Sequence, residues 1–152
     1  MTYPTPLNPN VVQTKVAEGA VVQATSRIDP GCEISSETIL KDHVTLCQNV
    51  SIIGKVTLET KVYVRENVTL VGPLHIGEGT IIAHDVVIGL LREENDLADQ
   101  ETIIENYCRI GAGAEVIGGV HIARHVFIRA GSKVIGDIPQ YGLASRNPAI
   151  LE

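Results

Sequence analysis

The stretch IGAGAEVIGGVHI, residues 110–122, sets Ile110, Val116 and Ile122 six residues apart, with Gly113 and Gly119 midway between them. This is neither the 3.6-residue period of an amphipathic helix nor the plain alternation of a half-buried strand. Counting outward in sixes reaches Ile104 on one side and Ile128 and Val134 on the other. A second series in the same period starts at Val16 and runs through Val22, Ile28, Ile34, Leu40, Leu46, Ile52, Leu58, Val64, Leu70, Ile76, Ile82 and Ile88. All nineteen positions are Val, Ile or Leu, types that fill only about one residue in three of the chain. A register of that length is a structural repeat.

Each repeat has two further features. Four places after its start sits a small or apolar residue, among them Ala20, Ser26, Cys32, Thr38, Val44, Val62, Cys108, Ala114 and Ser132, which the period turns inward. Three places after it stands Gly, Asn or Asp: Gly19, Gly31, Asn49, Asn67, Gly79, Asp85, Gly113, Gly119, Gly131 and Asp137. These types tolerate the positive φ that a corner between short strands requires. The pattern predicts a parallel β-helix, short strands with a corner after each, stacked around a column of aliphatic side chains.

Composition agrees. The 152 residues are 44% hydrophobic but hold one Phe, four Tyr and no Trp, so the predicted interior is thin and aliphatic. Three cysteines without metal-type spacing are expected as free thiols. MTYPTPLNPN lacks the basic start and apolar run of a signal peptide, and no stretch reaches membrane length, so a cytoplasmic protein with no membrane contact is expected. A net charge of −6 and the lack of a basic patch with interleaved aromatics argue against nucleic-acid binding.

IGEGTI (76–81) and IGAGAEVIGGVHI resemble the hexapeptide-repeat acyltransferase superfamily, the bacterial sugar O- and N-acetyltransferases above all. The resemblance, over roughly residues 11–150, implies a left-handed helix with three hexads per coil; neither hand nor three-sidedness follows from spacing. Nineteen hexads then give an all-β fold of about six coils. The expected layout is an extended segment 1–15, a helix 16–138 with one extruded loop 90–103, and a capping tail 139–152.

With eighteen residues per coil, one corner stacks Pro30, Gln48, Glu66, His84, Ala112 and Ala130, beside Gly31, Asn49, Asn67, Asp85, Gly113 and Gly131. Adjacent rungs lie about 4.8 Å apart. IIAHDVVIG (81–89) is similar to the catalytic coil of lipid A and sugar acyltransferases, which implies that His84 is the general base, Asp85 its acidic neighbour and Ala112 the donor of an oxyanion-binding N–H. The chemistry also stands alone, since an imidazole of ordinary pKa about 6.5 oriented by a carboxylate can deprotonate an attacking amine or hydroxyl. Stacking leaves two candidates for that carboxylate, Asp85 beside the histidine and Glu66 below it. A solvated corner histidine is the plainer alternative.

AGSKVIGDIPQYGLASRNPAILE (130–152) resembles the closing segment of the same acetyltransferases, which implies a groove for acetyl-CoA or another acyl-CoA along Gly113, Ala130, Gly131, Lys133, Arg146, Asn147 and Pro148. Gly136 stands where a basic residue is usual and Arg146 where Gly is, so Lys133 and Arg146 are the candidates for the missing charge. The same residues would serve to cap the helix. The interruption REENDLADQE (92–101) carries five acids and one Arg; it is a solvated loop or, as the resemblance implies for a homotrimer, a lid over a neighbour's site. Its charge suits an amine better than the phosphates of a nucleotide sugar.

The leading expectation is an acyltransferase acting on a small-molecule acceptor, a sugar or nucleotide sugar, without a metal. A zinc enzyme similar to γ-class carbonic anhydrases, using His84, His121 and His125, and a non-catalytic scaffold are the alternatives; the histidine spacing does not match the former. His43 and His125 fall at another corner, while His75 and His121 point outward near the ends of their hexads.

Overall fold

The computed structural model describes residues 14–91 and 100–152. It is all strand and turn, and almost every strand is two or three residues long because a corner interrupts each hexad. Three parallel sheets form the faces of a left-handed prism. The first face has seven strands, from Lys15–Val16 to Lys133–Val134; the second has six, from Val21–Val22 to His121–Ile122; the third has eight. Successive rungs pair Glu33 with Ser51, Ser51 with Thr69 and Thr69 with Val87, the eighteen-residue offset of a three-hexad coil. Above the interruption the offset widens, with Ile81 on Arg109, and then returns, with Arg109 on Phe127.

Of the nineteen hexad starts, all are buried except Val16 and Val22, which lie half-buried at the open N-terminal end. The largest fully buried side chains are all Leu or Ile, each contributing about 1.5–3 kcal/mol by removal from water. Rings are absent from this column. Tyr63, Tyr107, Phe127 and Tyr141 are all exposed, on the third face or its edge.

Nine of the ten expected corner residues have positive φ; Asp137 does not, and instead accepts a hydrogen bond from the His121 N–H at 2.8 Å. The corner between the second and third faces is left-handed too, but at His43, Lys61, Tyr107, His125 and Tyr141, residue types that do not announce it.

Two expectations need adjusting. The stack has about seven turns, not six, because Leu143–Ser145 of the tail continues the third sheet in parallel on Phe127–Ile128 before Ile150–Leu151 folds back antiparallel on it. The tail is thus a further rung as well as a cap. Strand also extends into both ends of the predicted loop, at Val87–Leu90 and Thr102–Ile104. Gly89 permits this: a Cβ there would stand 2.1 Å from the Val71 carbonyl oxygen, and the register shifts between Ile88 and Leu90. Residues 92–99, and 1–13 of the N-terminal segment, lie outside the described residues.

Candidate active site

His84 and Asp85 form the corner between Ile81–Ile82 on the third face and Val87–Leu90 on the first. Asp85 takes φ 60° and its N–H donates to the Glu66 carbonyl at 3.0 Å; the Gly113 N–H donates to the His84 carbonyl at 3.0 Å. These bonds fix the corner from below and above and confirm the stacking order Glu66, His84, Ala112. The side chains meet as well, with His84 Nδ1 2.9 Å from Asp85 Oδ2 although each is more than half exposed. With Nδ1 protonated and donating, Nε2 keeps its lone pair.

Asp85 is held below the ordinary carboxylate range by the hydrogen bond to His84 first, and also by the polar Asn67 side chain on the rung beneath. Glu66 is lowered too, chiefly by a hydrogen bond from its own backbone N–H and also by Arg65, whose Nε lies 3.5 Å from Glu66 Oε2. Of the two candidate partners, then, Asp85 bonds the imidazole and Glu66 is turned to Arg65.

Above the pair the surface is empty by construction. Gly113 and Gly131, at φ +71° and +74°, would present an added Cβ to nothing within 4 Å. The Ala112 N–H has no acceptor among the described residues, because in each rung it is the second corner residue, here Gly113, that bonds the coil below. An unpaired amide beside an open edge is what a developing oxyanion needs.

The tail runs beside Lys133. The Lys133 N–H donates to the Arg146 carbonyl at 2.9 Å and the Ala149 N–H to the Lys133 carbonyl at 2.8 Å, which brings Arg146, Asn147 and Pro148 beside Gly131 and Lys133. Lys133 Nζ stands 3.8 Å from Glu115, a loose pairing. Sequence reasoning missed Arg129, next to Ala130, which reaches Glu152 at 3.4 Å while Glu152 accepts from Ser145 Oγ at 2.5 Å.

The other histidines lie elsewhere. His75 pairs with Glu59 at 3.6 Å and His121 with Glu105, both on the second face. His125 is stacked between Tyr107 and Tyr141, with ring centroids 5.6 and 5.1 Å away. His84, His121 and His125 therefore sit at one corner, on another face and at a second corner, and the chain does not itself bring them together.

Residues 101–136 match the family model of the bacterial transferase hexapeptide (six repeats). The bifunctional protein GlmU of Methylococcus capsulatus is 29% identical over 132 residues, 86% of this chain and 27% of that protein. Serine acetyltransferase 2 of Arabidopsis thaliana is 32% identical over 76 residues, 50% of this chain and 23% of its own. The chain thus spans about a quarter of the length of these curated relatives. Among solved structures, AntD, an N-acyltransferase from Bacillus cereus in complex with dTDP and 3-hydroxybutyryl-CoA, shares the fold at a TM-score of 0.68 and 14% identity, over 91% of this chain and 81% of that one. With its unbroken six-residue register and three-sided coils, the chain is similar to these hexapeptide-repeat relatives and shares the fold of AntD.

Proposed function

We propose that the protein is an acyl-CoA-dependent acyltransferase that acylates an amino or hydroxyl group of a sugar or other small polar acceptor. The observation that carries this reading is the His84–Asp85 pair at 2.9 Å beneath the unpaired Ala112 N–H and the open edge of Gly113 and Gly131. His84 Nε2 takes the proton of the acceptor as its nitrogen or oxygen attacks the thioester carbonyl carbon. The carbonyl oxygen becomes an oxyanion and accepts from the Ala112 N–H. Collapse breaks the carbon–sulfur bond, and the imidazolium returns its proton to the departing thiolate. Acetyl-CoA or a short acyl-CoA would lie along Gly113, Ala130, Gly131 and Lys133 toward Arg146, Asn147 and Pro148, and no metal is needed.

A nucleotide sugar is a suitable acceptor. Arg65 and Arg129 stand on the rungs below Ala83 and above Gly111, in the column beside His84, and are the cations we assign to its phosphates. AntD, similar in fold, has been solved with dTDP-4-amino-4,6-dideoxyglucose and coenzyme A.

A single corner does not enclose a substrate, and the exposed rings Tyr63 and Phe127 on the third face are residue types that favour protein contact. We place the site between subunits of a homotrimer. Three buried free thiols suit a reducing compartment such as the cytoplasm.

The test is release of free coenzyme A from acetyl-CoA and 3-hydroxybutyryl-CoA in the presence of amino sugars and nucleotide-linked amino sugars. Acceptor-dependent release supports the reading; no release with any pair, from a folded protein that also fails to bind coenzyme A by calorimetry, contradicts it. Mixing His84→Ala subunits with subunits whose loop 90–103 is shortened to a Gly-Ser link tests the shared site. Activity returns in mixed trimers if base and lid come from different chains, and stays absent if they belong to one.

A further inference from the structure

We propose that Glu152 is a positioning residue for Arg129, holding the guanidinium by its Nε so that the terminal nitrogens are presented to a phosphate of a nucleotide-linked acceptor. The proposal rests on the acyltransferase reading of the neighbouring corner, in which Arg129 meets the phosphates. It adds to that reading a carboxylate and its anchor, Ser145, neither of which touches substrate.

Arg129 follows the buried Ile128 on the third face, one rung above Gly111 and one below Ser145, and its N–H donates to the Ala144 carbonyl at 2.9 Å. An arginine side chain that is 54% exposed ordinarily samples many rotamers, and a ligand that orders it must offset that entropy. The tail restrains it beforehand. Ile150–Leu151 pairs antiparallel with Leu143–Ser145, and the Glu152 N–H donates to the Leu143 carbonyl at 2.8 Å. The Glu152 carboxylate is thereby brought to the third face. Its Oε1 accepts from Ser145 Oγ at 2.5 Å, and its Oε2 accepts from Arg129 Nε at 3.4 Å.

The division of the two carboxylate oxygens is what leaves the arginine available. A carboxylate free to approach a guanidinium takes two of its N–H groups at once, in the bidentate pairing that a phosphate would also use. Here Ser145 holds one oxygen. Its hydroxyl is buried and needs an acceptor, so the carboxylate is tied to it and offers Arg129 a single oxygen. Among the described residues no hydrogen bond engages the terminal nitrogens of Arg129. Glu152 is held below the ordinary carboxylate range by the Ser145 hydroxyl first and by Arg129 as well, so the anchor is charged at neutral pH. Arg65, lower in the same column, is met in the same way, its Nε 3.5 Å from Glu66 Oε2. Two guanidinium groups in the column beside His84 are thus each approached at Nε by a carboxylate.

The test is calorimetric binding of dTDP, UDP and GDP to wild type, Arg129→Ala, Glu152→Gln and Ser145→Ala, none of which requires turnover. At least one nucleotide should bind wild type, and Arg129→Ala should weaken it about tenfold. Glu152→Gln and Ser145→Ala should each weaken it about threefold, a modest effect because the ion pair is partly exposed. In an Arg129→Ala background, Glu152→Gln should weaken binding no further, because the group it positions is already gone. With the matching nucleotide-linked amino sugar, KM for that acceptor should rise about threefold in both variants, while kcat and KM for acetyl-CoA change less than twofold. Tighter nucleotide binding in Glu152→Gln would mean that the carboxylate competes with phosphate, and overturns the proposal. So does unchanged binding in both variants, equal weakening with and without Arg129, or no nucleotide binding by wild type. If wild type binds a nucleotide but releases no coenzyme A with any acceptor, the functional reading fails, while the titrations still decide whether Glu152 positions Arg129.

Discussion

Two corners of this prism have the same backbone and opposite surfaces. At one, Gly31, Asn49, Asn67, Asp85, Gly113 and Gly131 are left-handed in succession; at the other, His43, Lys61, Gly79, Tyr107, His125 and Tyr141 are. The first column ends its side chains at Asp85 and leaves open space above. The second fills its upper rungs with three stacked rings, and Tyr107 lies so close over Gly79 that an added Cβ would stand 2.5 Å from its ring carbons. Identical left-handed turns, repeated every coil, thus yield an open polar edge on one side and a closed aromatic ladder on the other. Openness along an edge of this fold is set by what is left out of a corner as much as by what is put in.

Stability should separate the corners most strongly at their glycines. Gly79→Ala sets a methyl into the Tyr107 ring and strains a φ of +69°, and should cost about 2–3 kcal/mol in urea unfolding. Gly113→Ala carries similar backbone strain but meets nothing within 4 Å, and should cost about 1 kcal/mol. Equal losses would mean that the ladder does not press on Gly79.

Asp85→Asn should leave stability nearly unchanged while lowering turnover about tenfold or more, because Asn cannot offset an imidazolium. The acid-side fall of the pH–rate profile should also move to lower pH, since removing a nearby negative charge makes the protonated imidazole less favourable. Glu66→Gln should shift the profile less, its carboxylate being engaged with its own N–H and Arg65. The reverse ranking would make Glu66 the partner.

Much of this was legible in the sequence. The hexad register located the core because a period depends only on spacing, whereas the eighteen-residue coil that stacks Glu66, His84 and Ala112 rested on the three-sidedness that the family resemblance implies. The aromatic corner was not legible as left-handed, since Tyr107, His125 and Lys61 adopt positive φ only because the coils above and below hold them there. The closing clamp of Arg129, Glu152 and Ser145 depends on a chain reversal after Pro148 that no repeat predicts.

The smallest effect concerns the interior shared by both corners. Burial pushes the Cys32 thiol up to about 11. Its neutral form therefore supports the fold fully below the ordinary thiol range, and that support is lost as pH rises from 9.0 toward about 11. At neutral pH, Cys32 and Cys108 should resist thiol reagents in the folded protein and react once it is unfolded in urea; ready labelling of the native protein would show that the coils open locally.

The central claim is that the open corner does chemistry and the aromatic one does not. The direct measurement is acceptor-dependent release of coenzyme A by His84→Ala and His125→Ala side by side, each checked for folding by circular dichroism. The account predicts a loss of about two to four decades for His84→Ala and less than a twofold change for His125→Ala. Turnover like wild type in folded His84→Ala, or equal losses in the two variants, would contradict it.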